Sequence, residues 1–524
     1  MKRTLCASVL VAVTCSVVSA QEPATVHFTI DATQDVKPIS RFVYGVNRKL
    51  EGAFSDLTLT RVGGNRLTAY NWVNNASNAG NDYRFQNDDS LGGGDVPGGA
   101  LIPAIDNASQ HKAAIVLTVP INGYVSADKK GGGDVKSSGP DYLTTRFREE
   151  KPRKGSAFTL TPDPQSPVVF QDEFVNWVKT RFPYSQTDSD RPVFFDLDNE
   201  PDLWNSTHKE VHAGAVTYAE MVRKTIEYAR AIKDVTPKAK IFGPVSYGWQ
   251  GYVNLQNAPD AGKRDFLEYY LKQMSEAEKA GGKRLLDVLD VHWYPEAQGG
   301  GERVTSQGTK PAVVAARLQA PRSLWDPQYK EDSWISKWST NGPVALLPRL
   351  AGKIARNYPG TELAITEYNY GGGKDISGGI AEADVLGILG REGVFAAAEW
   401  PLAGDERFIA GGFRMYRNFD GKGANFGDTS IHAATDDVAA TSIYASVGSP
   451  DAKRLVLVAI NKTDHALPAQ VQIAHGRAYG RAEVYQLTAA GPEPRAAEGV
   501  KIAGAGRVDY TMPAYSVSTI CLTE

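Results

Sequence analysis

At 524 residues, with 10% aromatic and 22% charged residues, the chain is too long for one ordinary core and too rich in apolar groups to be disordered. Its formal charge is −3, or −5 once Lys2 and Arg3 leave with an N-terminal leader, which argues against nucleic-acid or anionic-membrane partners, since both demand clustered Lys and Arg. Loss of Cys6 and Cys15 with that leader makes Cys521 the sole thiol and excludes an internal disulfide.

Residues 1–20 read as a secretory signal: Lys2 and Arg3, an apolar stretch over 5–18, and Val18-Ser-Ala20 as a small-residue cleavage site before Gln21. The apolar stretch is too short for a membrane span, so an exported, unanchored protein is expected. Residues 25–30 then alternate Val26, Phe28 and Ile30 inward, and 21–38 is expected to pair into a C-terminal sheet.

Eight strand-like runs follow, at 42–46, 57–62, 113–119, 193–198, 241–245, 288–292, 363–366 and 394–400. Helical periodicity falls between them at 171–180, 218–232, 265–280, 346–357 and 380–392. This alternation predicts an α/β fold, a TIM-type (β/α)8 barrel over 39–430. The Gly- and Asp-rich stretches 92–99 and 127–139 lie beside the second and third runs, as cleft-shaping or plain flexible loops. Past residue 430 only short β-branched runs remain, at 440–446, 454–461, 469–473, 482–487 and 515–522, which predicts an antiparallel β-sandwich over 431–524.

Two of the barrel runs end on a glutamate. Val193-Phe-Phe-Asp-Leu-Asp-Asn-Glu-Pro-Asp202 and Leu363-Ala-Ile-Thr-Glu-Tyr-Asn-Tyr-Gly-Gly372 are buried-strand patterns that stop at a turn, with Glu200 and Glu367 at their C-terminal ends. Catalytic groups of such barrels gather at that rim, so carboxylates 167 residues apart in sequence are placed to face each other across one cleft. One protonated carboxyl to release a leaving alcohol and one ionised carboxyl to attack the anomeric carbon are what glycoside hydrolysis requires. Retention calls for a separation of about 5 to 5.5 Å, inversion for about 6.5 to 9.5 Å.

The pattern resembles clan A glycoside hydrolases and, more closely, glycoside hydrolase family 44, known for endoglucanases and xyloglucanases. The resemblance runs from about residue 40 to the end. It includes Arg61-Val-Gly-Gly-Asn65, Tyr70-Asn-Trp-Val-Asn-Asn-Ala-Ser-Asn78, Asp290-Val-His-Trp-Tyr-Pro-Glu296, Ser323-Leu-Trp-Asp-Pro327 and Phe426-Gly-Asp-Thr-Ser430. It departs at Val62, where many relatives are expected to carry Trp. What the resemblance implies is a retaining double displacement on β-1,4-glucan or xyloglucan, with Glu200 as acid/base and Glu367 as nucleophile. The alternatives are a related barrel hydrolase acting on β-mannan or xylan, and a non-catalytic carbohydrate-binding protein.

Around this pair, Arg61 at the second strand end is placed to hold Glu367 ionised, or else to form a plain barrel-mouth ion pair. Asn65, Asn199, His292 and Tyr294 are candidate hydrogen-bond partners for sugar hydroxyls or for the nucleophile. Trp72, Trp204, Trp325 and Trp400 are candidate platforms for the axial C–H face of glucose, with Trp400-Pro401 a candidate cis bond. Asp196 and Asp198 are expected in the barrel interior, and Glu296 and Glu399 are the rival carboxylates. No His-Glu-x-x-His spacing, nucleophile elbow or Walker lysine occurs, so no cofactor is expected for catalysis. The resemblance allows a structural Ca2+ among loop carboxylates without naming its ligands. A monomer acting on a β-1,4-linked polysaccharide is expected.

Overall fold

The structure is a computed structural model and describes residues 24–402, 404–448, 453–475, 477–498, 500–504 and 506–524. The expected signal at 1–20 lies outside these residues. Eight strands close into an all-parallel barrel: β1 (Gly45–Val46), β2 (Leu59–Val62), β3 (Ala114–Val119), β4 (Val193–Leu197), β5 (Ile241–Ser246), β6 (Val288–Trp293), β7 (Glu362–Tyr368) and β8 (Ala396–Glu399). Pairing of Ala398 and Glu399 with Gly45 and Val46 closes the ring. All eight expected runs are strands. The first is shorter than its apolar run because Ser40 accepts from the Phe42 amide and winds Arg41–Val43 into a 3-10 turn.

The barrel interior is layered. At its N-terminal end Phe42, Phe194, Phe242 and Phe395 form a cluster of edge-to-face and tilted rings, with centroids 5.2 to 6.1 Å apart. One layer higher the same inward positions turn charged: Arg61, Asp196 and Asp290 are fully buried. The alternate residues of β4, Phe195 and Leu197, point outward into the core beneath the helices.

Beyond the barrel lies an eleven-stranded sheet, antiparallel but for one pair. The N-terminal strand Val26–Asp31 sits within it, antiparallel to Thr429–Thr435 and parallel to Leu467–Ala474. Both faces of the central strand Arg454–Asn461 are buried. Leu455, Leu457 and Ala459 fill this sheet's own core, whereas Val456, Val458 and Ile460 pack into the barrel core.

The contact between the two bodies runs through the helix Ile376–Glu392, which begins where Asp375 caps Ser377 and is buried nearly all round. It passes so close to the sheet that a Cβ at Gly387 would lie 2.3 Å from the Tyr444 ring. Tyr444 Oη donates to Asp384 at 2.7 Å, and Lys462 pairs with the same buried carboxylate at 2.7 Å. No helix among the described residues is long and apolar enough to cross a membrane.

Candidate active site

The fourth strand stops because its backbone turns left-handed. Asp198 has φ 72° and Glu200 φ 44°, a conformation that side-chain-bearing residues adopt rarely, and Pro201 follows. Two sets of bonds hold it. Asp198 Oδ1 accepts from Thr68, the Asn199 amide and Trp204 Nε1, while its Oδ2 accepts from the Ile121 amide. The Glu200 amide donates to the Val245 carbonyl at 3.0 Å. Glu200 is thereby swung off the strand's two-residue alternation and into the barrel mouth.

Glu367 projects from within β7 beside His292 of β6, where the pairing of β7 with both neighbouring strands shifts register. Its Oε1 accepts from Arg61 Nη1 at 2.7 Å and its Oε2 from Tyr294 Oη at 2.9 Å. Arg61 also donates to Asp196 from Nε at 2.7 Å and to Asn199 Oδ1 from Nη2 at 2.9 Å. The guanidinium is therefore locked in plane by three elements at once. Burial alone would lower its pKa, but Asp196, Glu367 and Asp290 reverse this, so it stays charged.

His292 stands between the two glutamates, its Nδ1 2.9 Å from Glu200 Oε1 and 3.4 Å from Glu367 Oε2. Carboxylate oxygens of Glu200 and Glu367 and a ring nitrogen of His292 all lie within 4.8 Å of one another. Among the described residues this is the one group of three His, Cys, Asp or Glu side chains so close.

The environments differ in charge. Burial pushes Glu200 up to about 7, opposed by Arg61. Burial also raises Glu367, but Arg61 and the Tyr294 hydroxyl bond directly to its charged form. Burial drops His292 to about 4, so at neutral pH it contributes a hydrogen bond and no charge. Burial pushes Asp290 up to about 8, opposed by Arg61 and by its bonds from Thr366. Glu367 is thus bonded to a cation and a phenol, and Glu200 to the His292 imidazole alone.

The sequence-expected residues divide into three groups. Glu200, Glu367, Arg61, Asn199, His292 and Tyr294 meet at one point. Asn65 supports them: its Oδ1 accepts from Asn199 Nδ2 at 3.2 Å, its Nδ2 donates to Asp82, and its carbonyl lies 2.8 Å from His208 Nε2. One hydrogen of the Asn199 amide remains for a ligand. Trp400 is half-buried at the mouth and packs so tightly on the loop after β2 that a Cβ at Gly64 would lie 2.6 Å from its ring.

The other three tryptophans are not brought to the cleft. Trp72 is core: its Nε1 donates to the Phe170 carbonyl and its ring packs on Phe174 and Trp177. Trp204 is fully buried behind Glu200, with Lys224 over its ring at 5.2 Å. Trp325 lies under Arg391, 4.2 Å from the guanidinium, where the helix ending at Glu392 reaches the bottom of the barrel. Packing by neighbours remote in sequence covers the rings of Trp72 and Trp204, while Trp325 stays half-buried beneath Arg391, away from the cleft. The Trp400–Pro401 bond is not cis; Trp400 is fixed by its amide bond to the Tyr368 carbonyl and by Asn369 Nδ2 on its own carbonyl. Glu399 is fully buried on Asn369 and Arg48, and Glu296 pairs with Arg303.

Four supporting residues were not foreseen: Asn47, whose Nδ2 bonds the carbonyls of Thr366, Ala398 and Glu399; Asp290; His208; and Tyr252, which donates to the His292 carbonyl. The rim position of Asn47, one residue past β1, is the signal that would have found it.

The model of glycoside hydrolase family 44 matches residues 76–297. Endoglucanase A of Paenibacillus lautus is 40% identical over 512 residues, covering 95% of this chain and 72% of that protein. This chain belongs to glycoside hydrolase family 44. A Paenibacillus polymyxa family 44 xyloglucanase, solved with xyloglucan, superposes with a TM-score of 0.90 at 39% identity, covering 96% of this chain and all of that one. A family 44 endoglucanase from Clostridium thermocellum gives 0.89 at 40% identity, over 95% and 99% of the two chains. The family 44 fold and the chemistry of the cleft thus point to the same class of enzyme, a glycoside hydrolase.

Proposed function

We propose that the protein is a secreted endo-acting β-1,4-glucanase or xyloglucanase that hydrolyses the glucan backbone with retention. The observation that carries this reading is the close approach of Glu200, His292 and Glu367, with carboxylate oxygens within 4.8 Å. Carboxylates that approach this closely favour direct attack by one of them over activation of an intervening water.

In the first step Glu367 Oε attacks the anomeric carbon as Glu200 passes its proton to the glycosidic oxygen and the leaving chain departs. Neutral His292 keeps the Glu200 carboxyl aimed at the scissile bond. Arg61 and Tyr294 hold the nucleophile's charge without competing for its attacking lone pair. In the second step Glu200, now a carboxylate, takes a proton from water, which displaces Glu367 and returns both groups to their starting states. The chemistry needs two carboxylates and water, with no cofactor. Trp400, and Trp338 in the β6-to-β7 connection with 79% of its surface exposed, supply flat faces for a polymer.

The test is digestion of xyloglucan, β-glucan, mannan and xylan, with proton NMR of the fresh reducing end. β-Anomer appearing first from a glucan backbone supports the reading. α-Anomer first, or turnover of mannan or xylan alone, overturns it. Secretion is checked by N-terminal sequencing of the exported protein, which should start at Gln21.

A further inference from the structure

Beside the cleft, three cations are seated on aromatic rings rather than on carboxylates. The Arg84 guanidinium lies 5.8 Å from the Tyr83 ring centre, Lys209 Nζ 4.6 Å from that of Phe85, and Lys136 Nζ 5.9 Å from that of Tyr142. All three are exposed, and among the described residues none pairs with a carboxylate. An unpaired cation over a ring keeps its charge available to a ligand.

They form one group although they come from the loops after β2, β3 and β4. The Val135 amide donates to the Phe85 carbonyl at 3.1 Å, and Lys136 Nζ to the Lys209 carbonyl at 3.2 Å. Left-handed backbone at Arg84 and Phe85, with φ 61° and 53°, presents these side chains outward from the turn. The group is tied to the acid/base. Next to Lys209, His208 Nε2 contacts the Asn65 carbonyl, and Asn65 accepts from Asn199, the neighbour of Glu200.

The nearby carboxylates are occupied. Asp82 accepts from Asn65, Asp134 caps the Lys136 amide, and buried Glu210 faces His208. None of these carboxylates is ion-paired with the three cations, whose charged groups rest on aromatic rings instead.

Resting on the glucanase reading above, we propose that Arg84, Lys136 and Lys209 form a subsite for carboxylate-bearing substituents, uronosyl or carboxymethyl groups, carried on a β-1,4-glycan backbone. Such a group gains from the charge of these unpaired cations, and a neutral branch does not. Because the cations are exposed, the gain is screened by salt.

The experiment compares carboxymethylated and hydroxyethylated β-1,4-glucan as substrates of the wild type and of the triple variant Arg84→Gln/Lys136→Gln/Lys209→Gln. The wild-type KM for the acidic polymer should rise about three- to tenfold between about 10 mM and about 0.5 M salt, while that for the neutral polymer stays constant. The triple variant should show the high-salt KM at every salt concentration, with unchanged kcat on the neutral polymer. A triple variant that keeps the wild-type salt dependence overturns the subsite. If the wild type cuts neither polymer, the glucanase reading fails. Retardation in a low-salt gel containing carboxymethylated glucan then decides the subsite: wild type held back and variant not supports it, equal mobility overturns it.

Discussion

Glu200 and Glu367 are the same residue, at the ends of two strands of one barrel, within one cleft, yet the molecule surrounds them with different partners. Glu367 is met by a buried guanidinium and a phenol, both aimed at its oxygens. Glu200 is met by an imidazole that burial keeps neutral. Burial raises both carboxyls, so depth does not distinguish them; the partners do. The backbones differ in parallel: Glu367 lies within a strand whose pairing with both neighbours shifts register at its position, whereas Glu200 occupies a left-handed turn held by Asp198 and the Val245 carbonyl.

Mutation can break this asymmetry at each end. Glu367→Gln should produce the largest effect, a loss of at least about 10^4-fold in kcat on every substrate, because no other group can form the glycosyl bond. Near-normal turnover in this variant would remove Glu367 as nucleophile. Glu200→Gln should cost about 10^2- to 10^4-fold on polysaccharide but spare the first step on aryl glycosides with good leaving groups, which need no proton. Equal losses on both substrates would place Glu200 elsewhere in the mechanism.

Tyr294→Phe removes one bond to the nucleophile and should lower kcat by about 10- to 100-fold, the range of a hydrogen bond to a charged group. An unchanged kcat would mean that Arg61 alone holds the charge. The pH profile sharpens the comparison without mutation. Glu200 acts as an acid only while protonated, so kcat/KM should fall as pH rises through about 7. In Glu200→Gln, assayed on an activated aryl glycoside, that alkaline limb should disappear. A limb that persists belongs to another group. Smallest for catalysis and largest for stability is Gly387→Ala, which drives a methyl into the Tyr444 ring. It should cost about 1 to 3 kcal/mol in denaturant unfolding, with kcat unchanged in the folded enzyme. No loss would mean that the two bodies part readily.

Much of this was legible beforehand, because strand periodicity is a local property. The triplet His292-Trp-Tyr294 carries its position in the sequence, since alternate residues of a short buried strand must face the barrel axis; the register shift that brings Glu367 to the same centre directly after inward-facing Thr366 does not show in that period. Arg61 was legible for the same reason, and its ion pair with Glu367 follows from both lying at neighbouring heights in one ring. The tryptophans were not. Trp72 and Trp400 both border glycine- or proline-bearing loops, yet Phe174 and Trp177 cover the first and the second remains half-exposed.

The sequence alone determined the number of strands, the places where they end and the two acids standing at those ends, since hydrophobic period and turn residues act over a few positions. Tertiary structure alone decided which acid is bonded to a cation, which rings meet water, and that Arg84, Lys136 and Lys209 share one rim. Charge, burial and exposure are set by groups tens to hundreds of residues away, and only chain closure brings these within Coulomb and contact range.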